Sequence, residues 1–116
     1  MRFCHVTIQT AAFEDELKFY TKYAELKIQR DMRTAGRNMV FLANAEGDTE
    51  IELIEKPDAL DSGNANLSIG FVANDLDALH AALANDGYLP TEFISPMPSV
   101  RFFFVKDPAG VNVQFI

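Results

Sequence analysis

A single cysteine, only two histidines and no long apolar run narrow the field before any motif is considered. One cysteine allows no internal disulfide, which fits a reducing, cytoplasmic setting. No stretch approaches the roughly 20 apolar residues that a membrane helix needs. The N-terminus, Met1-Arg2-Phe3-Cys4-His5, runs straight into a strand pattern. It has no charged region followed by a small-residue cleavage site, so no signal peptide is read. Basic residues are also scarce: 10 Lys and Arg stand against 17 Asp and Glu, a formal net charge of −7. That balance argues against nucleic acid, whose counterions a basic face must displace, and against anionic membranes. It leaves neutral or cationic small ligands, or plain solubility, as its meaning. Nothing in the 116 residues is low-complexity, and the length suits one domain with a modest core.

What the chain does have is repetition. A strand bearing His5 is followed 47 positions later by one bearing Glu52; a strand bearing Ser68 is followed 46 positions later by one bearing Gln114. Between each pair the same order of elements is read. Met1–Gln9 alternates Phe3, His5, Thr7 and Gln9 against Cys4, Val6 and Ile8, the period of a half-buried strand. By that parity Cys4 belongs to the buried face opposite His5. Residues Phe13–Leu26 switch to helical spacing, with Glu14, Asp15 and Glu16 at the end where the helix dipole favours acids. Lys27–Arg33 reads as a strand or turn, and Met39–Ala43 and Thr49–Glu55 as strands.

Module one therefore covers residues 1–57, and a polar linker rich in Pro, Gly and Ser covers 58–66. Module two covers 67–116. It holds a strand at Leu67–Ala73, a helix capped by Asn74 or Asp75 and stopped at Asn85-Asp86-Gly87, and a weaker strand at Tyr88–Ile94. A loop with two prolines follows at Ser95–Ser99, then the aromatic strand Val100–Lys106, the turn Asp107-Pro108-Ala109-Gly110 and a last strand. Exposed strand edges make a homodimer the expected assembly.

Several segments occur in a telling order: the leading histidine strand, Phe19-Tyr20-Thr21-Lys22, Glu50-Ile51-Glu52-Leu53, Val72 through Leu79, and Asp107-Pro108-Ala109-Gly110. Together they resemble the vicinal oxygen chelate superfamily. That superfamily includes glyoxalase I, bleomycin and fosfomycin resistance proteins, and extradiol dioxygenases. The start looks particularly like bacterial glyoxalase I. The resemblance implies an α+β fold of two βαβββ modules forming a curved mixed sheet around a cleft, usually dimeric. It also implies four metal-ligand positions, which fall here on His5, Glu52, Ser68 and Gln114.

Two of those four are good ligands and two are poor. Glyoxalase chemistry needs a divalent metal to polarise its substrate and a carboxylate to move a proton between adjacent carbons. His5 and Glu52 suit Zn²⁺ or Ni²⁺, with Gln114 a third candidate through its amide oxygen. A serine hydroxyl is a poor neutral ligand, and glutamine is no base. Glu52 is then the one candidate catalytic carboxylate among the four, with Glu50 at the same strand parity. The metal is expected to be weakly bound or absent. Gln9 stands where bacterial glyoxalase I carries an arginine toward glutathione.

Thr7, Gln9, Glu50, Ser68, Asn112 and Gln114 are the expected ligand-pocket residues. A buried Glu52 is expected to need a partner, and His5 is the nearest candidate. His80 reads as a helix-border residue, and Arg30, Arg33 and Arg37 as a solvated rim or an anion site. The reading is thus a glyoxalase-like protein that binds a small organic molecule. Its alternatives are a metal-dependent lyase or isomerase of the lactoylglutathione lyase type, and a non-catalytic structural or regulatory dimer.

Overall fold

Alternating side chains in the first strand and helical spacing after it produce, in the computed structural model, the same unit twice. Residues 1–61 and 63–116 are described; Ser62, inside the expected linker, lies outside them. The chain divides into two compact units, Met1–Ser62 and Gly63–Ile116.

The first unit runs β1 (His5–Thr10), α1 (Phe13–Lys22), β2 (Lys27–Asp31), a 3₁₀ turn (Arg33–Ala35), β3 (Met39–Ala43) and β4 (Glu50–Glu55). Its sheet has the order β1-β4-β3-β2, with β1 and β4 parallel and the other pairs antiparallel. One face carries Ile8 and Thr10 of β1, Val40 and Leu42 of β3, and Ile51 and Leu53 of β4, all buried. Helix α1 packs against β4 and buries Phe13, Leu17, Phe19 and Tyr20. Burial of these side chains is the main drive for the unit, at roughly 1.5–3 kcal/mol for each large apolar side chain.

Glu16 is wholly buried in the first turn of α1, where the positive helix end favours a carboxylate. The helix stops at Lys22, not at Leu26 as its spacing predicts. Beyond it Glu25 takes φ 56°, the left-handed conformation that suits glycine. Glu25→Gly is therefore expected to raise the melting temperature by roughly 2–4 °C, the relief of strain exceeding the extra unfolded-state entropy of glycine. A thermal melt of the variant tests this, and a lower melting temperature would contradict it.

The second unit runs β5 (Ser68–Phe71), α2 (Leu76–Asn85), β6 (Ile94–Met97), β7 (Val100–Lys106) and β8 (Asn112–Phe115). Its sheet order, β5-β8-β7-β6, repeats the first sheet strand for strand. Asp75 caps α2 by accepting the Ala78 N–H at 3.0 Å. At the other end Gly87 (φ 93°) lets the Tyr88 N–H reach the Leu83 carbonyl and its own N–H reach that of Ala84, the Schellman ending. Phe103, Phe115 and Leu83 are at the centre of the core. The Phe103 ring lies 5.6 Å from that of Phe115 and 4.8 Å from the His80 imidazole.

Two expectations for this unit need correction. The segment 88–93 forms no strand, and the strand lies at Ile94–Met97, from the last residue of the expected strand into the stretch assigned to a proline loop. Pro96 is tolerated because β6 is an edge strand whose register shifts between Ile94 and Met97. The Asp-Pro-Ala-Gly turn is as read. Its buried Asp107 carboxylate accepts the N–H groups of Ala109 (2.9 Å) and Val111 (2.8 Å), and Gly110 takes φ 87°.

Candidate functional site

The face of the first sheet turned away from α1 carries the polar residues. Strand register sets who meets whom. In the parallel pair β1–β4, His5 stands opposite Glu50, Thr7 opposite Glu52, and Gln9 opposite Ile54. In β3, Phe41 stands opposite Glu52. The Thr7 hydroxyl donates to Glu52 Oε1 at 2.6 Å. The partner of Glu52 is therefore Thr7, where His5 was expected; a parallel register offset of one pair, invisible to parity, makes the difference.

Glu50 is engaged as well. Arg30 Nη2 donates to its Oε1 at 3.0 Å, and the Arg30 guanidinium lies 3.8 Å from the centre of the Phe41 ring. A bulge at Gln29 makes this possible. Ile28 pairs with Leu42, the extra residue slips out, and Arg30 pairs with Phe41. Pairing with Glu50 and stacking on Phe41 are the two roles of Arg30 that sequence reasoning missed. The bulge carries no sequence signal, but the neighbouring acid at the same strand parity does.

The arginine rim does not act as one anion site. Arg30 serves Glu50, while Arg33 makes a bidentate pair with Asp31 at 2.7 and 2.9 Å. The Arg33 hydrogen bonds, side chain first and backbone second, hold the Asp31 carboxyl down at about 2 against the opposing effect of desolvation. A depressed carboxyl stabilises the fold above its unfolded pKa near 3.8 and loses that contribution as pH falls toward 2. An NMR titration should therefore place the Asp31 midpoint near 2 in wild type and back toward the ordinary carboxyl range in Arg33→Gln. An Asp31 midpoint unchanged by the substitution would contradict the pairing.

His5 is exposed at the start of β1, and its Nδ1 lies 3.4 Å from Cys4 Sγ. Cys4 itself is exposed, contrary to the burial its parity predicts, because β1 begins only at His5 and the alternation does not extend back to it. His80 is half-buried, stacked on Phe93 at 4.6 Å, with Nε2 2.8 Å from the Thr91 carbonyl; it serves structure.

In the second sheet the corresponding face carries Ser68 opposite Asn112 and Gly70 opposite Gln114. Phe104 stands opposite Gln114, as Phe41 does opposite Glu52. The repeat thus holds pair by pair: His5 with Glu50 corresponds to Ser68 with Asn112, and Thr7 with Glu52 to Gly70 with Gln114. The Gln114 amide lies over Gly70, its Oε1 at 3.6 Å from where a Cβ would stand. Ser68 is exposed, while Asn112 and Gln114 are half-buried.

A catalytic metal is poorly matched by these residues. Zn²⁺ or Ni²⁺ is held by histidine, thiolate or carboxylate donors, normally three or more. Here His5 is one, Glu52 has an oxygen engaged by Thr7, and the repeat-related positions hold a hydroxyl and an amide. Among the described residues no three of His, Cys, Asp and Glu gather where they could share an ion.

Comparison with known proteins bears on the fold. The family model described as Glyoxalase/Bleomycin resistance protein/Dioxygenase superfamily matches residues 2–115. The trypanothione-dependent glyoxalase I of Leishmania major superposes with a TM-score of 0.76 at 22% identity, covering 100% of this chain and 86% of that one. A mutant glyoxalase I from Zea mays gives 0.78 at 21%, covering 99% of this chain and 44% of that one. An antibiotic-binding protein from Streptomyces gives 0.71 at 18%, covering 99% and 93%. Comparison by sequence with curated proteins finds no significant match.

Proposed function

This chain belongs to the glyoxalase/bleomycin resistance protein/dioxygenase superfamily, and on that footing we propose that it is a small-molecule binding protein that works without glyoxalase chemistry. One observation carries the reading. Both carboxylates on the polar face of the first sheet are engaged inside the protein, Glu52 by Thr7 at 2.6 Å and Glu50 by Arg30 at 3.0 Å. Their counterparts in the second sheet are the neutral Gln114 and Asn112. A proton-transfer catalyst needs a carboxylate that can take up and release a proton at the substrate. A carboxylate oxygen already engaged inside the protein is not presented to a substrate, and an amide is no base.

The polar, uncharged residues Thr7, Gln9, Ser68, Asn112 and Gln114 suit recognition by hydrogen bonding. The likeness to an antibiotic-binding protein of the same fold agrees with this reading. Homodimerisation and a cytoplasmic setting belong to the same proposal; no helix among the described residues is long and apolar enough to cross a membrane.

The reading predicts that methylglyoxal and glutathione, with Ni²⁺ or Zn²⁺ supplied, give negligible lactoylglutathione above the protein-free rate. The thioester absorbance measures this directly. Robust turnover, abolished by Glu52→Gln, would replace the binding reading with that of a metal-dependent lyase.

A further inference from the structure

The internal repeat makes it possible to compare the two sheets position by position, and one place differs sharply. In the first sheet Phe41 is buried at 7% exposure, with the Arg30 guanidinium stacked 3.8 Å above it. Its counterpart is Phe104. Opposite Phe104, where Arg30 would correspond, stands Thr91: the Thr91 N–H donates to the Phe104 carbonyl at 2.8 Å, and the Phe104 N–H donates to Thr91 Oγ1 at 3.0 Å. The threonine side chain is short and its hydroxyl is committed to the backbone. It covers no ring. Phe104 instead lines a cavity of about 500 Å³, together with Tyr88, Leu89, Thr91, Lys106 and Asn112 among others. That volume lies within the range of small-molecule sites.

The charge at this place differs too. Two positions beyond Phe41 is Ala43, buried at 1% exposure; two positions beyond Phe104 is Lys106, exposed. Glu50 of the first sheet is replaced by Asn112, which stands opposite Lys106. The carboxylate of the cavity, Asp107, is buried and holds the N–H groups of its own turn. The first sheet covers its phenylalanine with the exposed Arg30 guanidinium and balances that cation with an acid. The second leaves its phenylalanine half-buried, met edge-on by the Phe102 ring at 5.7 Å and lining a cavity with a cation and an amide.

We propose that the cavity beside Phe104 binds a planar aromatic carboxylate. The ring system lies against Phe104 between Tyr88 and Leu89, taking the place that Arg30 fills over Phe41, and the carboxylate meets the Lys106 ammonium. None of His5, Glu52, Ser68 and Gln114 lines this cavity. The inference rests on the small-molecule reading above and gives it a location and a ligand class.

The test uses the full chain with naphthoate as probe and naphthamide as its neutral isostere, followed by calorimetry and by amide chemical shifts. Naphthoate should bind at least about tenfold more tightly than naphthamide, with shifts centred on Tyr88, Thr91, Phe104 and Lys106. The preference should fall as salt is raised, because Lys106 is exposed. Lys106→Gln should remove the preference and Lys106→Arg should retain it. Thr91→Arg, which restores the cation of the first sheet, should abolish binding of both probes. Lys106→Gln keeps the test decisive should the Thr91 variant fold poorly.

Naphthoate binding that ignores Lys106, or whose shifts fall elsewhere, would overturn the site and leave the small-molecule reading standing. No binding of either probe, while other organic fragments bind, would overturn the ligand class and the site together. No binding by any fragment would defeat both this inference and the broader reading.

Discussion

Ser68→His combined with Gln114→Glu is expected to raise Ni²⁺ or Zn²⁺ affinity by on the order of a hundredfold or more. The argument is one of donor chemistry. The family resemblance implies four ligand positions, of which His5 and Glu52 already hold suitable groups. The double variant supplies an imidazole and an anionic oxygen where the natural chain has a hydroxyl and an amide. Glu52 would have to share its oxygen with the Thr7 hydroxyl, so Thr7→Ala added to the pair should tighten binding further. Equilibrium titration with a chelator competitor measures the change. Unchanged affinity would show that the four positions share no ion, either within a chain or between chains.

The second large effect is on stability. Phe103→Ala should destabilise the protein by about 3–5 kcal/mol, the range for removing a fully buried aromatic ring. Phe103 has 0% exposure and is in ring contact with His80 (4.8 Å), Phe93 (5.8 Å) and Phe115 (5.6 Å). Its loss leaves a void that this cluster cannot readily collapse to fill, because His80 is tied to the Thr91 carbonyl and Phe115 sits in the ladder opposite it. Denaturant unfolding measures the loss. Phe104→Ala, two atoms of backbone away but on the opposite face and only half-buried, should cost clearly less. Equal losses would contradict the assignment of faces.

The neighbouring phenylalanines show what the chain made legible. Alternation in Val100–Lys106 places Phe103 on one face and Phe102 and Phe104 on the other, and the structure follows it. The order of elements was legible for the same reason: strand and helix periods differ, and the Asp75 cap, the Gly87 stop and the Asp107 turn each have a local chemical cause. Register was not legible. Parity says which face a residue takes, but not whether Glu52 meets His5 or Thr7; only the parallel pairing of β1 with β4 decides that. Nor was the bulge that turns Arg30 onto Phe41, since nothing at Gln29 announces an extra residue. The same limit hid the cavity beside Phe104, because Thr91 meets Phe104 through backbone and hydroxyl bonds outside any regular strand. Cys4 marks the edge of the method: an alternating pattern predicted its burial, and the strand simply starts one residue later.

The central claim is that the protein recognises organic molecules without a resident catalytic metal. Calorimetric titration of metal-stripped protein with Ni²⁺, Zn²⁺ and Mn²⁺, repeated on His5→Ala, tests it most directly. The account predicts weak binding at most, with the same heat in the variant as in wild type. Tight binding of one ion per chain, lost in His5→Ala, would contradict it and make a metal-dependent lyase the better description.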